Sequence, residues 1–256
     1  MKYFDTHAHY DDEAFSTNQA QVLQQCREAG VEYIVNIGCS KNTSIQSVEL
    51  ATHYSYIYAA IGVHPHEVAH DNAEDIKQIY ENSVTDKIVA IGEIGLDYAF
   101  VKDNKKEQIR LFCEQIELAN ALQLPIVIHS RDAALDTYTT IKENKPQYGA
   151  LFHCFQPSDD LVRLVLQEGY MVAFGGNITY KRNESFKKYM EQIPLTQMVV
   201  ETDSPYLAPV PVRGTTNTSA NLPYIVSKLA EFKQEEVEVV GQQVFQNAIT
   251  YFSIDA

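Results

Sequence analysis

The nine residues FDTHAHYDD, Phe4 to Asp12, close the first apolar run of the chain and limit the kind of α/β protein it can build. A doubly wound nucleotide-binding sheet places a glycine-rich turn, GxGxxG or GxxxxGK[ST], after its first strand. Two histidines stand there instead, the first two residues after Asp5. Residues two apart on a strand share a face, so His7 and His9 project side by side. Alone, the pair reads equally as two metal ligands or as two polar residues at a strand end.

Outward from this stretch, short β-rich runs alternate with longer segments of helical period. The candidate strands are residues 3–6, 33–37, 57–61, 88–91, 126–128, 150–152, 171–173 and 198–200. Between them lie segments such as 104–123, where Ile109, Phe112, Ile116 and Ala119 recur three and four apart on one face. In 158–167, Ser158 or Asp159 caps a helix that Gly169 ends. Eight strands, each followed by a helical pattern, predict a single (β/α)8 TIM barrel, a fold of about 250 residues. An additional C-terminal helix over 234–252, with an apolar stripe of Val237, Val240, Val244 and Ala248, is expected to cover one end of the barrel. No Ser/Gly linker, charge block or repeat divides the chain, so one domain, 1–256, is expected.

Apolar residues make up 45% of the chain, enough for a full core. The net charge of −14 excludes a grip on long duplex DNA through a broad basic surface. A nucleic-acid substrate must be held by a local cluster, or by cations that offset the acidic field. Met1 leads straight into the first strand without the basic head and apolar core of a secretory signal, and no apolar run reaches the roughly 18 residues of a membrane span. A cytoplasmic protein with no membrane partner is expected. Cys26, Cys39, Cys113 and Cys154 show no CxxC spacing and read as reduced thiols. Strand alternation turns Cys154 away from the pocket that His153 faces.

A parallel barrel brings all strand C-termini to one face, where barrel enzymes place their chemistry. His7 and His9 follow strand one, and His64 follows strand three in IGVHPH. Glu93 follows strand four in IGEIGLDY, and His129 ends strand five in PIVIHSRDA. His153 ends strand six in LFHCF, and Asp203 ends strand eight in VVETDSPYLAP. Singly, each has a structural alternative: Glu93 and Asp203 as helix caps, His129 as a hydrogen-bonded core histidine. Burying two carboxylates and four imidazoles together is costly without compensating positive charge. Two divalent cations remove that cost if one carboxylate bridges them, an arrangement with metals about 3.5–4 Å apart that suits phosphate-ester hydrolysis.

The set DTHAHYDD, IGEIGLDY, PIVIHSRDA, HCF and ETDSPYLAP, followed by RG and Asn217, resembles the TatD family of metal-dependent deoxyribonucleases. The motifs occur in the family's order and span essentially the whole chain. The resemblance implies a TIM-barrel metallohydrolase, within the amidohydrolase-like superfamily, that cleaves DNA phosphodiesters. It implies His7, His9, Glu93 and Asp203 around one cation and Glu93, His129 and His153 around the other, with Glu93 bridging. It also implies magnesium-supported activity, whereas imidazole-rich donors favour zinc, nickel, manganese or iron as the bound species. Two departures are visible. HCFQPS stands where the family usually has HCFSG, and Ser219 stands where it usually has a proline after RGxxN. Both are expected to reshape substrate-facing loops rather than the metal site.

On this reading a water activated by the cations attacks the phosphorus, with Asp203, Glu93 and His64 as the catalytic residues. Asp203 orients and deprotonates the water. His64 donates to the phosphate or the leaving oxygen, unless its part beside Pro65 is structural. Arg131 and Arg213 suit bidentate phosphate contacts, the alternative for Arg131 being a salt bridge to Asp132. Tyr98, Phe155 and Tyr206 are candidates to stack on bases. Asp5 is expected to accept the second N–H of a ligand histidine. The acidic charge favours single-stranded or short DNA, attacked from its ends, and no obligate protein partner is readable. The rival is a barrel hydrolase of the same superfamily acting on a different ester, lactone or amide. Many such enzymes bridge their metals with a carboxylated lysine, and the fourth and fifth candidate strands contain none. A non-catalytic barrel predicts the loss of a ligand, and none is lost.

Overall fold

The apolar, β-branched runs that precede each motif are strands buried on both faces, as a parallel sheet covered by helices requires. A computed structural model describes residues 1–100 and 103–254. The chain begins β1 (Tyr3–Ala8), α1 (Gln19–Glu28), β2 (Val31–Ile37), α2 (Lys41–His53), β3 (Ile57–Ile61) and α3 (Ala73–Glu81). It continues β4 (Ile88–Asp97), α4 (Lys105–Leu122), β5 (Ile126–Arg131), α5 (Ala134–Glu143), β6 (Ala150–Phe152) and α6 (Asp159–Glu168). It ends β7 (Met171–Phe174), α7 (Lys187–Met190), β8 (Met198–Val200), α8 (Leu222–Lys233) and α9 (Val237–Tyr251). The strands pair in parallel and in sequence order from β1 to β8. The expected TIM barrel with an extra C-terminal helix is the observed fold.

The barrel is nearly closed. Between β1 and β8 the pairing reduces to one bridge, Ala8 to Ser204. The seam is reinforced there by His9 N–H on Ser204 O (2.8 Å), Asp203 N–H on His7 O (2.9 Å) and Thr6 Oγ1–H on Val200 O (3.0 Å). Buried Asp5 fastens the same seam. Its carboxylate accepts the Thr202 N–H (2.9 Å), the Thr202 hydroxyl (2.5 Å) and the Ser219 hydroxyl (2.6 Å).

Inside the barrel, Phe4, Ile37, Ala60, Val127, Leu151 and Val199 pack in one cluster with Ala248, Ile249 and Phe252. The last three belong to α9 and its end, so this helix covers the N-terminal mouth as expected, but of its stripe only Ala248 faces the barrel interior, and Val237, Val240 and Val244 pack in the outer core instead. Its polar residues grip the starts of strands. Asn247 Nδ2 donates to Met198 O (2.7 Å) and Tyr251 Oη to Ile126 O (2.8 Å).

Helix α4 departs from the expected face. Leu111, Phe112, Ile116 and Ala119 are buried, but Ile109 only partly, and Gln108 and Gln115 are buried with them. The reason is polar. Gln115 exchanges two bonds with the Val63 backbone (2.7 and 3.0 Å), and Gln108 exchanges two with the Asp97 backbone (2.9 and 3.1 Å). Each amide acts as one more strand residue beyond a strand's own pairing, fixing the segments that carry His64 and Asp97. At α6, Ser158 caps Leu161 N–H and Gly169 ends the helix in the left-handed region, as expected.

Phe252→Ala removes a ring stacked on Phe4 at 5.8 Å in the barrel floor. Urea unfolding should show a loss of about 3–5 kcal/mol, the usual cost of a buried Phe→Ala cavity.

Candidate metal centre

β4 runs six residues further than its apolar pattern suggests, so Glu93 and Asp97 lie within the strand. Gly95, at φ +138°, pairs with His129 in the register of β4 on β5. A Cβ there would collide with the His129 carbonyl, so only glycine lets the two strands approach at this level. This closeness holds the Glu93 carboxylate against the His129 ring.

The two oxygens of Glu93 face opposite sides. Oε2 lies 3.4 Å from His7 Nε2, whereas Oε1 lies 2.7 Å from His129 Nδ1 and 3.2 Å from His153 Nε2. Asp203 Oδ1 lies 3.4 Å from His9 Nε2 and 3.8 Å from His7 Nε2. All six residues expected as ligands therefore converge, with His7 and His153 stacked at 3.8 Å between ring centroids.

The outer ring nitrogens reveal what the inner ones present. His9 Nδ1 sits 3.0 Å from Ile37 O, His129 Nε2 3.0 Å from Asp97 Oδ2, and His153 Nδ1 3.2 Å from Glu201 Oε1. The outer nitrogens of His9 and His129 are hydrogen-bonded to these acceptors and so carry the proton in the neutral ring, whereas His153 Nδ1, close to Glu201, makes no hydrogen bond among the described residues. The inner nitrogens then aim lone pairs at carboxylate oxygens, an arrangement that requires positive charge between them. Divalent cations meet that requirement, and outer acceptors of this kind are what orient metal-bound histidines. Donor atoms of His7, His9 and Glu93 lie within 4.8 Å of one another, as do those of His7, His153 and Asp203, and those of His64, Glu93 and His129.

Where no cation is bound, the rings themselves supply that positive charge. Burial alone would raise the Glu93 carboxyl, yet the charges of His153 and His7 hold it well below the usual carboxylate range. Burial disfavours charge on His153, but Glu93 and Glu201 push its pKa well above the ordinary imidazole value. Burial drives His64 the other way, down to about 3. Its Nδ1 accepts the His66 N–H (3.2 Å), so the neutral ring offers Nε2–H toward Glu93 Oε1, 3.9 Å away.

Several expectations need correction. Asp5 accepts the His7 backbone N–H (3.3 Å), not an imidazole N–H, and His7 Nδ1 is buried without a partner among the described residues. That acceptor role belongs instead to Asp97, and Glu201 places its carboxylate 3.2 Å from His153 Nδ1; neither residue is among the candidates read from the motifs. Their signal was positional, since Asp97 is four residues beyond Glu93 and Glu201 two before Asp203. Ser219 is fully buried in the Asp5 network rather than on a substrate-facing loop. Cys154 lines the cavity beside His153, because β6 ends at Phe152 and the backbone turns at Cys154 with φ +42°. Tyr98 and Phe155 are buried and cannot stack on a base, whereas Tyr206 is 53% exposed.

Two hollows flank the cluster and share His129, His153, Asp203 and Tyr206 in their walls. One, of about 540 Å³, is lined by Arg131, Gln156, Asn177 and Arg182. The other, of about 610 Å³, is lined by Asp11, Asp12, Glu13, Glu67, His64 and His66. Arg131 lies over the Phe100 ring at 4.7 Å, and among the described residues no ion pair joins it to Asp132. Arg213 is not in either lining. It stacks on Tyr180 at 4.5 Å, the ring that Arg182 also overlies at 5.7 Å.

Residues 4–253 match the model of the family described as TatD related DNase. The chain belongs to the TatD family. It is 37% identical over 253 residues to the uncharacterized metal-dependent hydrolase YabD of Bacillus subtilis, covering 98% of this chain and 99% of that protein. The uncharacterized metal-dependent hydrolase MJ1582 of Methanocaldococcus jannaschii is 32% identical, with coverage of 98% of this chain and 97% of that protein. Among solved structures, the TatD homolog YJJV of Escherichia coli superposes with a TM-score of 0.91 at 29% identity, over 99% of this chain and 98% of that one. The protein is thus a TatD-family metal-dependent hydrolase, with His/Glu/Asp clusters able to bind metal.

Glu201→Gln should weaken cation retention by about 10–100-fold, the usual effect of losing a carboxylate behind a ligand histidine. Metal content after dialysis against a graded chelator series would measure it, and a variant that holds metal as tightly as the parent would remove Glu201 from that role.

Proposed function

We propose that this TatD-family hydrolase cleaves DNA phosphodiester bonds, working from the ends of single-stranded or short DNA with two divalent cations. The observation that carries the reading is the division of Glu93, one oxygen toward His7 and the other toward His129 and His153. A carboxylate so placed suits a bridging ligand. His7, His9, Glu93 and Asp203 would hold one cation, and Glu93, His129 and His153 the other. Bound there, the pair supplies Lewis acidity for activating water and for offsetting charge on the phosphate oxygens.

The chain's own groups do the rest. Burial raises the Asp203 carboxyl, but the His9 hydrogen bond and the His153 charge outweigh it and keep Asp203 ionised, ready to take a proton from the attacking water. The Nε2–H of His64 can donate to the leaving oxygen without bringing a charge of its own. Arg131 and Arg182 flank the place where non-bridging oxygens would lie, and Arg213 stiffens that wall through Tyr180. Neither β4 nor β5 contains a lysine, which speaks against the rival barrel hydrolases that bridge metals through a carboxylated lysine. The four cysteines are free, which suits a reducing cytoplasm, and no described helix is long and apolar enough to cross a membrane.

Digestion of 5′- and 3′-labelled single strands, beside lactone and amide substrates and with a chelator control, tests the reading. Metal-dependent shortening of the strands from one end is expected. Hydrolysis of lactones or amides with intact DNA would overturn it. Asp203→Asn, assayed with metal in excess so that the site stays loaded, should lower turnover by at least about 100-fold, the lower range for a lost general base, while melting stays close to the parent. Elemental analysis of untreated protein should find a transition metal such as zinc, since four imidazoles outcompete an oxygen-preferring magnesium site.

A further inference from the structure

The mouth of the barrel is divided by charge, with the carboxylate–imidazole cluster as the partition. On one side, Arg131 and Arg182 line the hollow, and among the described residues Asp132 is its one lining carboxylate apart from the shared Asp203. On the other side, Asp11, Asp12, Glu13 and Glu67 line the hollow, and among the described residues no lysine or arginine does. The histidine there that is most open to solvent, His66, is engaged by Asp97 at 3.2 Å. Tyr206 stands on the shared wall with its hydroxyl held by Asp12 at 2.7 Å, which leaves its exposed ring as a surface between the two halves.

A DNA strand carries one negative charge at every link, so it cannot be indifferent to this division. Phosphates are attracted over the arginines and repelled from the four carboxylates. Only a group without a phosphate of its own suits the acidic hollow, whose 610 Å³ is the size of a site for one small organic group.

We propose, resting on the phosphodiesterase reading above, that the strand lies across the cluster with its phosphate-bearing side over Arg131 and Arg182. The acidic hollow takes one terminal nucleoside whose outer hydroxyl is free. The enzyme therefore selects unphosphorylated ends at one terminus of the strand, and Glu13 and Glu67 act as specificity-determining residues by repelling a terminal phosphate.

Calorimetric binding of tetranucleotides to the metal-loaded Asp203→Asn protein tests this, using strands with both ends hydroxyl, with a 5′-phosphate, or with a 3′-phosphate. A phosphate on one end should weaken binding by about tenfold, and on the other end not at all. Glu13→Gln combined with Glu67→Gln, both at the protein surface, should shrink that penalty to about twofold or less. Arg182→Gln should weaken all three strands alike. Equal affinity whichever end carries the phosphate, or a penalty that survives the double substitution, would overturn the inference and leave the phosphodiesterase reading standing. If no tetranucleotide binds this variant and none is cut by the parent enzyme, both fall together.

Discussion

One buried carboxylate shared among three imidazoles governs the architecture of this protein. Glu93 is 4% exposed, and His7, His129 and His153 all turn ring nitrogens toward it. In a medium of low polarity such a group is tolerated only if positive charge is held close by. Every neighbouring feature serves that condition. Gly95 permits the approach of β4 to β5. Asp97, Glu201 and the Ile37 carbonyl orient rings from behind, and Asp203 brings a second negative group to the side that Oε2 faces. The donors form His/Glu/Asp clusters able to bind metal.

Rigidity around the cluster comes from polar groups inside an apolar barrel. The side chains of Gln108 and Gln115 reproduce backbone pairing where strands end, and Asp5 ties β1 to the segment after β8 through three side-chain and backbone donors. Unpartnered, any of these would destabilise the fold; paired, they set positions that apolar contacts leave loose. Ser219 shows the same economy. Where a family proline could offer no hydrogen-bond donor, this chain's hydroxyl closes a buried chain of bonds from Asp5 to Tyr10 and Cys26.

Much of this was legible in the sequence because periodicity and motif spacing are local properties. Alternating runs predict the barrel, the 237–248 stripe predicts a C-terminal helix though mostly not the face it turns to the barrel floor, and the convergence of the six ligand candidates follows from parallel strands alone. What was hidden depends on partners far away in sequence. Gln108 and Gln115 resemble surface polar residues until strands end beside them. Asp97 and Glu201 lie within the quoted motifs, but only the ring orientations show that they stand behind histidines. Cys154 was misplaced because strand alternation was extended past Phe152, where the strand stops. Tyr98 and Phe155 were misplaced because their neighbourhood in sequence says nothing of depth. Arg182 carries no motif, and only the fold of the segment after β7 brings it to the cavity wall.

The seam between β1 and β8 also imposes an order on biosynthesis. His7 and Asp203 are 196 positions apart (203 − 7), yet each supplies part of one cluster and their backbones bond directly. At a ribosomal pace of about 5–20 residues per second, β1 waits roughly 10–40 seconds for its second neighbour. Throughout that interval it is an exposed edge strand, open to pairing with another chain. The floor helix α9 is made later still, so the apolar interior of the barrel is left uncapped until nearly the whole chain has emerged. Closure of the edge and capping of the floor are therefore both late events in synthesis, completed only when β8 and then α9 have emerged.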